Sequence, residues 1–119
     1  MSTRANIILK EGKQQMIFYR HSDGYPEGTM PTLNKFVELM KSGKIRNNLS
    51  QGAGWLIFLG AIEYREYHNN ETFNAQKPEE VEPKDWKIGA YEPTTCIHGD
   101  IEYLYTIDMD QMTIESKQV

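Results

Sequence analysis

One cysteine, Cys96, stands alone in 119 residues, so no internal disulfide can form and a reducing compartment is expected. No long apolar run exists: the longest, Trp55 to Leu59, is far short of the ~20 residues that cross a bilayer. The opening Met1-Ser2-Thr3-Arg4-Ala5-Asn6 lacks a basic region followed by an apolar core, which argues against a signal peptide. Together these absences give the expectation of a soluble, cytoplasmic protein with no membrane partner. Excess basic charge is missing too. A net charge of -4 argues against general nucleic-acid binding, which rests on clustered Lys and Arg. There is no P-loop, dinucleotide fingerprint, Cys-x-x-Cys pair or G-x-S-x-G elbow, so no catalytic residue and no cofactor is assigned. Low-complexity tracts and internal repeats are absent as well.

What is present belongs to an ordinary globule. The hydrophobic share of 39% and charged share of 25% are typical of folded domains. A chain of this length buries roughly 65% of its unfolded surface, enough for one core without staples. Residues 1–119 are therefore read as a single domain. Charge is uneven along it: the first fifty residues are net basic, and acid concentrates after Glu63.

Ile7-Ile8-Leu9 and Met16-Ile17-Phe18-Tyr19, separated by Glu11-Gly12, read as a β-hairpin. Ser22-Asp23-Gly24 ends the second strand with turn chemistry. Pro31 suits the first turn of a helix whose apolar positions Leu33, Phe36, Val37 and Met40 share one face. Gly43 is placed to cap it. Residues 50–67 form a second, mostly buried helix with Trp55, Phe58, Leu59 and Ile62 on the inward face, capped by Ser50 or Asn48. Its glycines at 52, 54 and 60 each cost ~1 kcal/mol unless a neighbour packs closely against them. The stretch around residues 68–85 is a polar loop with two prolines, and the acidic residues 79–82 are its solvated part. Trp86 to Tyr91 alternates as a strand stopped by Glu92-Pro93. Ile101 to Asp108 alternates as another, Met112 to Glu115 closes a final hairpin, and 116–119 fray. The order ββααβββ predicts an α+β fold: one layer of largely antiparallel sheet with two helices on one face.

Polar chemistry concentrates in Tyr19-Arg20-His21-Ser22-Asp23-Gly24-Tyr25. His-x-Asp occurs there and again at His98-Gly99-Asp100. Residues two apart in extended chain face the same way, so convergence of the pairs would suit a metal ion or an acid/base couple. Turn chemistry beside a chance histidine outweighs that reading, and no metal ligand is assigned. Arg4 and Arg20 fall near one end of the hairpin. With His21 they form the best candidate for gripping a phosphate or carboxylate, against the plainer reading in which Arg20 pairs with Glu27, Glu92 or Asp100. Tyr19, Tyr25, Trp55, Trp86 and Tyr91 are candidate pocket walls, although aromatics at such spacings more often fill a core. Cys96 is expected buried and inert.

Ser2-Thr3-Arg4 followed by Tyr19-Arg20-His21-Ser22-Asp23-Gly24-Tyr25-Pro26-Glu27-Gly28 resembles a group of short uncharacterised proteins of bacteriophages and prophage-bearing bacterial genomes. Their shared pattern is a Ser-Thr-Arg block and a Tyr-x-His-x-Asp-Gly-Tyr motif. Many members carry Trp where this chain has Ser22. The resemblance implies a bacterial-cell setting and marks Arg4, Tyr19, His21, Asp23, Gly24 and Tyr25, without assigning an activity. The function expected is a non-enzymatic module binding a small anionic, nucleotide-like ligand through Arg4, Tyr19, Arg20, His21, Asp23, Tyr25, His98 and Asp100. The alternatives are a factor acting on a host protein and, behind it, a small metal-dependent hydrolase.

Overall fold

The structure, a computed structural model, describes residues 2–68 and 89–119, the side chains of 64–68 excepted. Within them the elements are β1 (Ala5–Glu11), β2 (Gln14–Arg20), α1 (Pro26–Lys41), α2 (Leu49–His68), β3 (Glu92–Thr94), β4 (Tyr103–Asp108) and β5 (Thr113–Gln118). The fold is α+β, two helices against a five-stranded open sheet of order β3-β2-β1-β4-β5. That sheet is mixed: β1 pairs with β4 in parallel, Ala5 opposite Tyr103 through Lys10 opposite Asp108. The expected antiparallel character holds for the β1–β2, β2–β3 and β4–β5 pairings; the parallel one between β1 and β4 corrects it. Hairpin signals are local, whereas the pairing of the two hairpins through β1 and β4 depends on how the chain crosses between them.

The first hairpin forms as its pattern dictates, from Ala5 opposite Arg20 to Glu11 opposite Gln14. Its two-residue turn places Gly12 at φ +57°, the positive value that suits the twist of the flanking strands. Ala5, Ile7 and Leu9 of β1, Phe18 of β2, and Tyr105 and Ile107 of β4 point to the helices. Leu33, Phe36, Val37 and Met40 of α1 and Leu49, Leu56 and Leu59 of α2 meet them there. Residues of opposite parity, Asn6, Ile8, Ile17, Tyr19 and Leu104, occupy the sheet face away from the helices.

Four local expectations are corrected. Helix α1 starts at Pro26 rather than near Pro31, because Pro26 supplies the first helical position and the Tyr25 carbonyl already accepts from Gly28 and Thr29. Pro31 lies inside the helix. Helix α2 is capped by Asn48, one of the two expected residues, whose side chain accepts from the Gln51 N–H at 2.9 Å. Of its expected inward face, Leu59 and Ile62 pack in the core but Trp55 and Phe58 do not. Trp55 is 37% and Phe58 53% exposed, whereas Gly52, Leu56 and Gly60, spaced four apart, face the core. Gly52 meets Phe36 and Met109, and Gly60 meets Tyr91. Close backbone approach, not side-chain size, selects that face.

The third strand is Glu92–Thr94, where the sequence pattern predicted a stop, and Gly89 to Tyr91 is not strand. Pro93 is tolerated because β3 is an edge strand and needs no outward N–H there. The C-terminal residues expected to fray instead continue β5. Ser116 pairs with Tyr105 and Gln118 with Tyr103, and the Val119 N–H donates to the Glu102 carbonyl at 2.9 Å. Trp86 and the loop over 69–85 lie outside the described residues. No helix among the described residues is long and apolar enough to cross a membrane.

The two faces of α2 predict opposite outcomes for the same substitution. A Cβ at Gly60 would stand 2.5 Å from the Tyr91 ring, so Gly60→Ala is expected to destabilise by about 1–3 kcal/mol. At Gly54 nothing among the described residues lies within 4 Å, and Gly54→Ala should stabilise by about 1 kcal/mol. Urea denaturation midpoints of the two variants check both signs.

Candidate functional site

Tyr19 and Arg20 are neighbours in a strand, so their side chains leave opposite faces of the sheet. This parity divides the residues singled out in the sequence into two clusters. On the face away from the helices, the Tyr19 hydroxyl donates to Asp100 Oδ2 at 2.7 Å, and Arg4 Nε meets the same oxygen at 3.3 Å. The His98 ring stacks on Tyr19 with centroids 3.9 Å apart, and His21 meets the Tyr19 ring edge-on at 4.5 Å. His21 Nε2 lies 3.2 Å from Glu92, and His98 Nε2 lies 3.0 Å from the Thr94 hydroxyl. The backbone brings these groups together because Glu92 stands opposite Tyr19 and Thr94 opposite Ile17 in the β2–β3 register.

The segment after β3 then passes over this face. It is held by the His98 N–H donating to Asn6 Oδ1 at 2.8 Å, while Asn6 Nδ2 donates to the Phe18 carbonyl at 2.9 Å. Asn6 is fully buried and both ends of its amide are used, which fixes the crossing point of the loop. Burial and the bond to Asp100 push the Tyr19 phenol up to about 12. That same bond, with Arg4 behind it, holds the Asp100 carboxyl below its ordinary range.

Arg20 sits in the second cluster, inside the molecule. It is 4% exposed and forms a 2.6 Å ion pair with Glu63 of α2. Its other donors go to the Ser22 carbonyl at 2.8 Å, the Tyr91 hydroxyl at 3.0 Å and the Gly28 carbonyl at 3.3 Å. Burial disfavours the guanidinium charge, but the bonds to Glu63 and Tyr91 outweigh it and raise the pKa. Glu63 also accepts from the Thr32 hydroxyl at 2.6 Å. The sequence reading set Arg4 and Arg20 together as one anion grip, and this is corrected: they lie on opposite sides of the sheet. The Arg20 partner is Glu63, none of the three acids named for it, because α2 crosses the sheet at that point.

The remaining candidates serve the loop. Asp23 takes φ +55° and accepts from the Tyr25 hydroxyl at 3.1 Å, and its carbonyl accepts from Thr29 at 2.9 Å. Gly24 lies so close to Thr3 and Ala5 that a Cβ would be 2.9 Å from each, and its carbonyl accepts from the buried Tyr105 hydroxyl at 2.6 Å. Thus His21 and His98 converge on Tyr19 and Asp100 joins them, but Asp23 does not. Among the described residues no three His, Cys, Asp or Glu side chains form a group able to hold a metal ion. Cys96 is exposed, not buried as expected. Tyr91 is a buried partner of Arg20, and Trp55 lies on the outer side of α2, so neither walls the polar cluster.

Asn6, Glu63, Glu92 and Thr94 were not assigned site roles from the sequence. None belongs to a local motif, and only strand register or the path of α2 brings them in. No family model matches the chain, and no match was found among curated proteins or solved structures.

Two measurements follow from these clusters. Removing the acid from the buried pair, in Glu63→Ala, leaves Arg20 uncompensated and is expected to cost on the order of 3 kcal/mol in urea unfolding. Burial likewise pushes Tyr105 up to about 12. Unfolded phenols lose their protons near about pH 10, so the term from Tyr19 and Tyr105 is whole below that pH. It is lost as pH rises toward 12. Unfolding midpoints should therefore stay level up to about pH 10 and fall beyond it, with part of the phenolate absorbance appearing only in that fall.

Proposed function

We propose that the chain is a small accessory module of the phage type that binds an anionic ligand without transforming it. The binding surface is the sheet face that carries Arg4, His21 and His98. One observation carries this reading: Arg4 is held through its inner nitrogen, Nε, by a carboxylate that Tyr19 itself holds. A guanidinium presents five N–H donors, and this arrangement leaves the outer fork to meet a phosphate or carboxylate. The Arg4 side chain is 40% exposed, and His21 beside the same tyrosine is 63% exposed. Each of the two also has a carboxylate next to it, Asp100 for Arg4 and Glu92 for His21. An incoming anion is therefore bound by geometry and bidentate hydrogen bonding rather than by bulk charge, in keeping with a net charge of -4. The stacked His98 supplies a flat surface on which a nucleobase can lie.

Titration calorimetry with ATP and with inorganic phosphate tests this. Saturable binding is expected, accompanied by thermal stabilisation of about 2.7 kcal/mol at a hundredfold excess over Kd. Arg4→Ala should weaken it at least about tenfold by removing a charge-assisted hydrogen bond, with Arg4→Lys in between. Arg4 is half-exposed, so the unfolding midpoint should barely move. Neither heat nor stabilisation with any nucleotide or with phosphate would sink the reading.

A second reading, a factor acting on a host protein, is favoured by the exposed pair Trp55 and Phe58, whose rings meet edge-on at 5.6 Å on the outer side of α2. Recovery of one defined partner from host lysate, lost in the double variant Trp55→Ser and Phe58→Ser, distinguishes it from the first.

A further inference from the structure

Among the described residues the outer edge of β2 is only partly covered. Strand β3 pairs with Ile17, Phe18 and Tyr19 and ends at Thr94, whereas β2 begins at Gln14. Pro93 stands opposite Phe18 and has no N–H to give. In an antiparallel pair this makes Phe18 the non-hydrogen-bonded position, with Ile17 and Tyr19 exchanging bonds with Thr94 and Glu92. By the two-residue period, Gln15 directs its own N–H and C=O to that same outer side. Among the described residues no backbone group meets them there.

Beside this edge, between sheet and α2, lies a cleft of about 390 Å³ lined by Met16, Phe18, Ala53, Ile57, Pro93 and Thr95, among others. Met16 and Phe18 have the parity that points them into this layer, and Met16 is 39% exposed. Among the described residues no charged side chain lines the cleft.

We propose that this edge receives an extended segment of another protein as a further strand, in line with β3 and beyond its end. The backbone of the segment bonds to Gln15, and its inward side chains, apolar and of valine or leucine size, fill the cleft. The occupant is a polypeptide in extended form because the edge offers a donor and an acceptor at strand spacing, which another backbone matches and a lipid or small anion does not. The paired stretch is short: Gln14 to Met16 span roughly 10 Å, room for about three residues of the partner. This site is separate from the Arg4 cluster, so the two stand or fall independently.

The test uses the full chain, labelled with ¹⁵N, and a capped hexapeptide of alternating valine and threonine. A second hexapeptide is N-methylated at its central residues and so cannot complete the ladder. Saturable shifts are expected at the Gln15 amide and at Ala53 and Ile57, with hydrogen exchange at Gln15 slowed at least about tenfold by the first peptide. The N-methylated peptide should bind at least about tenfold more weakly, as should the first peptide to Met16→Lys, a change at an exposed position that leaves the fold intact. Equal binding of the two peptides, or no shifts with either, overturns the proposal. So does a Gln15 amide already protected in the free protein, which would mean that the chain covers its own edge. A concentration-dependent dimer that protects Gln15 without peptide overturns it as well, since the occupant would then be a second copy.

Discussion

The buried guanidinium of Arg20 is the constraint to which the rest of the structure answers. A charge taken out of water is tolerated only when its donors are satisfied and an opposite charge stands near it. Here the partners come from four parts of the chain: Ser22 in the loop after β2, Gly28 at the start of α1, Glu63 in α2 and Tyr91 before β3. Meeting one side chain's requirements therefore ties both helices and the entry to the third strand to the end of β2. The guanidinium also lies over the Tyr91 ring, 5.2 Å from its centroid, and Tyr91 in turn fills the space left by Gly60. A hydrophobic layer alone would let α2 slide along the sheet. A directed ion pair sets where it stops.

The same strand that sends Arg20 inward sends Tyr19 outward, and the polar cluster on the outer sheet face grows from that alternation. Tyr19 is 3% exposed, so it is a support rather than a contact. It holds Asp100 by its hydroxyl and His98 by its face, and through Asp100 it orients Arg4. The groups left toward solvent are those with donors to spare. His21 and His98 in turn face Glu92 and Thr94, which ties the surface groups to β3.

The motif from Tyr19 to Gly28 thus has a double nature. Half of it, Arg20, Asp23, Gly24 and Gly28, shapes the loop and binds it to the core. The close approaches of Gly24 to Ala5 and of Gly28 to Asp23 leave no room for a side chain. The other half, Tyr19 and His21, belongs to the cluster on the outer sheet face, Tyr19 buried beneath it and His21 exposed. A dense run of polar residues therefore marks a place where the chain is under heavy constraint, and a ligand is only one of the causes.

Periodicity and turn chemistry were enough to locate the first hairpin, the apolar face of α1, the existence of α2 and the alternation of β4, because these depend on neighbours within a few residues. They were enough, too, to single out Arg4, His21, His98 and Asp100, which the fold gathers round Tyr19. The parallel match of β1 with β4, the glycine-bearing face of α2 and the partner of Arg20 depend on residues dozens of positions apart. So does the use of Glu92 to Thr94 as an edge strand. Local patterns report which side chains share a face; they carry no information about which faces meet. The separation of Arg4 from Arg20 shows the reason most plainly: one step along a strand reverses direction, and only the packing of helices on one side decides which direction is inward.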